Sequence, residues 1–125
     1  MLKPSEVVGR NVRAGRALRD LSQEQLAEVM VRLGHDWKTK TVGAVENATR
    51  RVDVDELYGL ALALGRSIPE LLEISDSEGV WLGTGRLEIN PRWANRWAQG
   101  TLRLWAHGYD EENDAWIIRP EEIEP

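Results

Sequence analysis

"LSQEQLAEVMVRLGHDWKTKTVGAVEN" runs from Leu21 to Asn47, and its reading decides the fold. Ser22 is a good helix N-cap, and Gln25 three residues on can reach back to complete a reciprocal capping box. Leu26, Val29 or Met30, and Leu33 follow at helical spacing, so they form the buried stripe of this helix, which should end at Gly34. His35, Asp36 and Trp37 form a turn, with Trp37 as the apolar plug that fixes the angle to the next helix. Residues 38–47 form that next helix, with Val42 and Val45 facing inward. At about 100° per residue, Thr39, Lys40, Gly43, Ala44 and Asn47 then share the opposite face.

The pattern extends outward from this pair. Residues 5–19 carry Val8, Val12 and Leu18 at near-helical spacing and predict a first amphipathic helix. Asp53 with Glu56, and Ser67 with Glu70, repeat the capping-box spacing at the starts of helices four and five. Gly65 suits the end of helix four, and Pro69 suits the first turn of helix five. Residues 1–74 thus read as a five-helix, mainly α domain, 75–79 ("SDSEG") as a linker, and 80–125 as a Trp-rich extension. In the extension Asn90 caps a short helix with Pro91 in its first turn and Gly100 beyond its end. "GVWLGTGRLEI" (79–89) is extended chain or a weak hairpin. "TLRLWAH" and "AWIIR" predict two strands joined by the acidic loop "GYDEEND".

Charge is distributed unevenly over the 125 residues. The net charge is −5, but residues 1–66 hold 11 Lys and Arg against 9 Asp and Glu, while 67–125 hold 5 against 12. What matters for a polyanionic partner is the local face, and Lys38, Lys40, Arg50 and Arg51 crowd around the third helix. The chain has no Cys, which excludes disulfides and thiolate metal sites. No apolar leader or long apolar run is visible, so a cytoplasmic protein with no membrane contact is expected.

The outward face of helix three suits entry into a DNA major groove. Small residues allow close approach, a few donors or methyls read base edges, and the valines anchor the helix to its own domain. Gly43 costs a helix about 1 kcal/mol relative to Ala, so close packing against something is a reason for it. Leu21-Ser22-Gln23, Leu26-Ala27, Glu46-Asn47 and the Leu/Ala-rich run ending Leu64-Gly65 together resemble the lambda-repressor-like (Xre/Cro-type) helix-turn-helix family, over roughly 7–74. The long turn with its "RRVD" continuation and the "RWANRWAQG" tail resemble actinobacterial or actinophage members. The resemblance implies base-edge contacts from Thr39, Lys40, Gly43 and Ala44. It implies phosphate contacts from Gln23, Lys38, Thr41, Asn47, Arg50 and Arg51, and a structural ion pair between Arg16 and Glu46. Two departures stand out. The turn between helices two and three is about five residues longer than usual, and Ala48 replaces the Gly that usually follows Glu-Asn, which bears on the left-handed cap after helix three.

The expected function is sequence-specific double-stranded DNA binding by a transcriptional regulator, a repressor of phage-immunity type being one form, as a monomer or a homodimer. The alternative is an antitoxin-like module whose extension binds a partner protein. The Trp-rich extension carries three readings: a small secondary core of Trp81, Trp93, Trp97 and Trp105; a dimer or partner interface; or accessory DNA contacts from Arg86, Arg92 and Arg96 with Trp93 and Trp97. No nucleophile–base constellation, cofactor motif or metal spacing is present in the sequence, so neither catalysis nor a cofactor is expected. His35 and His107 are not in ligand spacing, and "DEENDA" (110–115) lacks the Gly position of an EF-hand loop.

Overall fold

A computed structural model describes residues 2–75, 79–82 and 87–123. Helices α1 (Pro4–Leu18), α2 (Gln23–Arg32), α3 (Thr39–Glu46), α4 (Val54–Leu64) and α5 (Ile68–Leu71) precede strands β1 (Val80–Leu82) and β2 (Leu87–Ile89). Helix α6 (Pro91–Ala98) and strands β3 (Leu102–Asp110) and β4 (Ala115–Glu122) follow. Residues 5–72 form one compact unit, and the residues up to Pro4 with those from Glu73 onward form another.

The helical unit is built around Val8, Val12, Leu26, Met30, Trp37, Val42, Val45, Leu60, Leu64 and Leu71, all buried together. Each helix start is fixed locally. Ser22, Asp53 and Ser67 each accept from the backbone three residues on, and Gln25, Glu56 and Glu70 reciprocate. Helix ends are equally regular. His35 N–H donates to Met30 C=O and Gly34 N–H to Val31 C=O, both at 2.9 Å, which is a Schellman closure with Gly34 at φ 99°. That closure turns the chain before Leu33 can be covered, so Leu33 is 42% exposed rather than buried. Leu18 also departs from expectation, at 70% exposed, because Val7, Val8, Val12 and Gly15 form the buried stripe of α1. Gly9 is required by close approach. A Cβ there would lie 2.5 Å from Val45 O and 2.9 Å from Glu46 O, so α1 lies against the end of α3 backbone to backbone.

The second unit is smaller. β1 and β2 pair antiparallel, and Leu2 adds an isolated parallel bridge to Val80. Asn90 caps α6 by accepting from Trp93 N–H at 2.9 Å. Asn95 on that helix clamps Ile74 through both backbone groups, at 2.8 and 2.9 Å. β3 and β4 form an antiparallel hairpin from Leu102↔Glu122 to Asp110↔Ala115, with a bulge between Ala106 and Gly108. The bulge carries β3 through Gly108-Tyr109-Asp110, which the sequence assigns to the loop, and leaves 111–114 as the turn. The buried apolar residues of this unit are Leu2, Ile74, Ile89 and Leu102. Among the described residues the tryptophans do not form a buried core. Trp97 and Trp105 are 41% and 44% exposed and Trp93 is half-buried, while the Trp81 side chain lies outside the described residues.

Candidate nucleic-acid interface

Helix α3 is held by one face. Val42 and Val45 are 0% and 1% exposed, while Thr39, Lys40 and Asn47 are exposed and Gly43 and Ala44 are half-covered. Lys38 is the N-cap, with extended backbone, and its N–H donates to Thr41 Oγ1 at 3.1 Å. Thr41 therefore fixes the start of the helix, which orients Thr39 and Lys40. This is a different task from the phosphate contact the resemblance implies for it.

The far end of α3 is tied to two other helices by Glu46. Its side chain is fully buried, and Arg16 donates to it twice, Nε to Oε2 at 2.8 Å and Nη2 to Oε1 at 3.1 Å. Gln23 Nε2 and Arg13 Nε also donate to Oε1, at 3.2 and 3.4 Å. Burial alone would raise the Glu46 pKa, but the bonds from Arg16, Gln23 and Arg13 hold it below its ordinary value, while the bond to Glu46 raises that of Arg16. Because a carboxylate only accepts, the Gln23 amide nitrogen must face it. The amide lies beside Gly43, where an added Cβ would sit 3.8 Å from Nε2, an ordinary van der Waals distance, so Gln23 does not itself require glycine at this position. Arg13, which sequence reasoning missed, also donates to Asn47 Oδ1 at 3.2 Å. Its signal was positional: Arg13 and Arg16, three apart on α1, share a face.

Beyond α3 the chain turns through Ala48 at φ 57°. Ala48 N–H donates to Val45 C=O at 3.0 Å and Thr49 N–H to Ala44 C=O at 2.9 Å, a Schellman closure made by alanine in the glycine position. The left-handed cap thus survives without glycine, and it delivers Arg50 inward. Arg50 grips Glu56 bidentately, at 3.1 and 2.8 Å, and its guanidinium sits 5.3 Å from the centre of the Trp37 ring. Glu56, only 6% exposed, also accepts from Trp37 Nε1 at 2.6 Å. Burial pushes Glu56 up, but Arg50, the Asp53 backbone and Trp37 together bring it down to about 2. Both arms of the Arg50 fork are thus engaged internally, which gives it a structural task that the phosphate contact implied by the resemblance does not include. Arg51 beside it is exposed. The sequence shows Glu56 as a capping residue, yet nothing local reveals its second partnership.

The accessory residues divide differently. Arg86 lies outside the described residues. Arg92 is exposed on α6. Arg96 is engaged by Glu122 and by Thr101 C=O, so it does not stand ready as a phosphate clamp. Trp93 and Trp97 occur on the same helix, in the unit that does not contain α3. Among the described residues there is no group of three or more His, Cys, Asp or Glu that could hold a metal, and no helix is long and apolar enough to cross a membrane.

The arrangement is therefore a short helix anchored by two valines, with an exposed small-and-cationic face, clamped at its end to the start of a preceding helix. Comparison with known proteins gives the same architecture a family. Residues 12–71 match the helix-turn-helix model HTH_3. Control protein C.SmaI of Serratia marcescens is 40% identical over 67 residues, covering 54% of this chain and 74% of that protein. No solved structure matches. With that match running from the second half of α1 to α5, and with 74% of the relative covered, the chain belongs to the helix-turn-helix family of DNA-binding transcriptional regulators.

Proposed function

We propose that the protein reads a specific double-stranded DNA site with α3 and acts as a repressor by occluding what that site would otherwise admit. The observation that carries this is the face of α3. Thr39, Lys40, Gly43 and Ala44 form an outward surface without a bulky side chain other than Lys40, over a helix whose other side is locked in the core. Thr39 and Lys40 reach base edges as donors, Ala44 offers only a methyl contact to thymine, and Gly43 admits close approach. Lys38 and Arg51 hold phosphates, with Gln23 and Asn47 as polar neighbours whose orientation is set by Glu46 and Arg13. Repression needs no further domain, because a bound domain blocks its site by volume alone. The similarity to a protein named as a control protein supports regulation without fixing its sign.

The experiment is selection from a random duplex library, followed by transcription from a promoter carrying the selected site. An enriched motif with loss of transcript on adding protein is the expected result. Absence of any enriched motif with folded protein rejects base reading by α3, and a rise in transcript rejects repression.

A further inference from the structure

The β3–β4 hairpin is a poor endpoint for folding. Two strands alone are marginal in water, and three or more are needed for a stable sheet. Among the described residues this ladder joins only β3 and β4. Trp105, Tyr109, Trp116 and Ile117 are 44–48% exposed, which leaves apolar surface on both faces of the hairpin.

The two edges are not equivalent. β3 is bulged between Ala106 and Gly108, a distortion that protects a strand from pairing. β4 is regular, and its only interruption is Pro120, which has no N–H to give. Pairing with β3 continues past Pro120 to Glu122, so the proline nitrogen faces away from β3. Lateral groups alternate along a strand, and the backbone groups of Trp116 and Ile118 therefore face outward as well. An antiparallel neighbour can use those groups in full only where it avoids Pro120.

We infer that the β4 edge pairs with β4 of a second copy of this chain, about a two-fold axis at Ile117, to give a four-stranded sheet in the order β3, β4, β4, β3. Self-complementarity selects this occupant. With Ile117 on the axis, Trp116 lies opposite Ile118 of the other copy, and by symmetry the same pair forms twice, an aromatic–β-branched pairing of the kind that stabilises sheets. All four main-chain bonds of those two pairs come from residues that have an N–H. Moving the axis to Ile118 would instead set Trp116 against Pro120 and lose a bond in each of its two pairs. A nucleic acid is disfavoured at this hairpin, because Asp110, Glu111, Glu112 and Asp114 crowd its tip and repel phosphate.

The inference is independent of base reading by α3, and its test uses the full chain without DNA. Sedimentation should give twice the 14.2 kDa chain mass. Ile118→Pro removes one outward N–H per copy while leaving the β3 ladder its bonds, and should weaken the dimer by at least about tenfold. Ile117→Cys supplies a direct readout. Residues on the axis of a non-hydrogen-bonded pair have Cα atoms about 4.5 Å apart, within disulfide range. The native chain has no Cys, so mild oxidation of Ile117→Cys should give a covalent dimer, whereas Glu111→Cys at the tip should give none. A monomeric wild type overturns the inference and leaves the edge to a foreign strand. A dimer in which Ile117→Cys fails to cross-link also overturns it, by placing the interface elsewhere, even if Ile118→Pro disturbs the hairpin.

Discussion

Trp37 donates its indole N–H to Glu56 at 2.6 Å across 19 residues of sequence, and Arg50 closes the other side of the same carboxylate. The long turn between α2 and α3 and the cap of α4 are thereby joined through one buried acid. Glu56 does two jobs, since it also accepts from Asp53 N–H at 3.0 Å to complete the capping box.

This carboxylate should govern acid stability. Its folded pKa is about 2 against an ordinary 4.5, so its contribution is fully present above about pH 4.5 and is lost as pH falls toward 2. The linkage is worth on the order of 3 kcal/mol. Urea unfolding of the wild type should therefore lose stability steeply over that range. Glu56→Gln, less stable at neutral pH, should lose much less. Parallel pH profiles for the two proteins would remove Glu56 from this role.

Arg50 is the partner most open to misreading. Its substitution by alanine strands a buried charge, which should cost about 2–3 kcal/mol given that the arginine side chain is 39% exposed. Arg50→Lys should recover only part of this, because an ammonium cannot replace the two-pronged fork. Once affinity is corrected for the unfolded fraction, DNA binding and its salt slope should be unchanged. A reduced slope with undiminished stability would return Arg50 to the phosphate backbone.

The internal partners of Arg50 lie where the sequence stops being readable. The capping boxes at Ser22, Asp53 and Ser67 are legible because both partners lie within four residues, and the Val42/Val45 anchor is legible from helical spacing alone. Arg50 follows a helix end among other cations, so locally it looks solvated. Only the closure through Ala48 turns it toward Trp37, and that pairing depends on tertiary position. The Arg16–Glu46 pair came from resemblance, whereas Arg13 at the same carboxylate had no local sign beyond its face on α1. In the extension, Gly108 reads as a loop residue because a bulge is invisible to period-two patterning. The tryptophans invited a core reading by composition, but the cover goes to Ile74, Ile89 and Leu102.

Ala48 offers a stabilising substitution. A non-glycine residue in the left-handed region costs about 1–2 kcal/mol, partly offset for alanine by its smaller entropy loss on folding. Ala48→Gly should raise stability by about 0.5–1 kcal/mol, seen as a higher urea midpoint with unchanged slope. Ala48→Val should lower it, since β-branching makes a positive φ worse. A drop in stability for Ala48→Gly would mean that the half-buried methyl contributes more by packing than the backbone conformation costs.

Lys40 and Arg51 separate base reading from charge neutralisation. Both are exposed cations flanking the same short helix, but Lys40 stands on its outward face within α3 and Arg51 stands beyond the cap. Lys40→Ala should weaken binding to the best selected site by about 1–3 kcal/mol while relaxing preference at one or two base pairs. Arg51→Ala should weaken all duplexes alike and reduce the slope of log affinity against log salt by about 0.9. Titrations of both variants against the selected site and a scrambled duplex, at several salt concentrations, give the four numbers required. If Lys40→Ala lowers affinity equally on both duplexes, the lysine serves phosphate, and base reading must rest on Thr39 and Ala44.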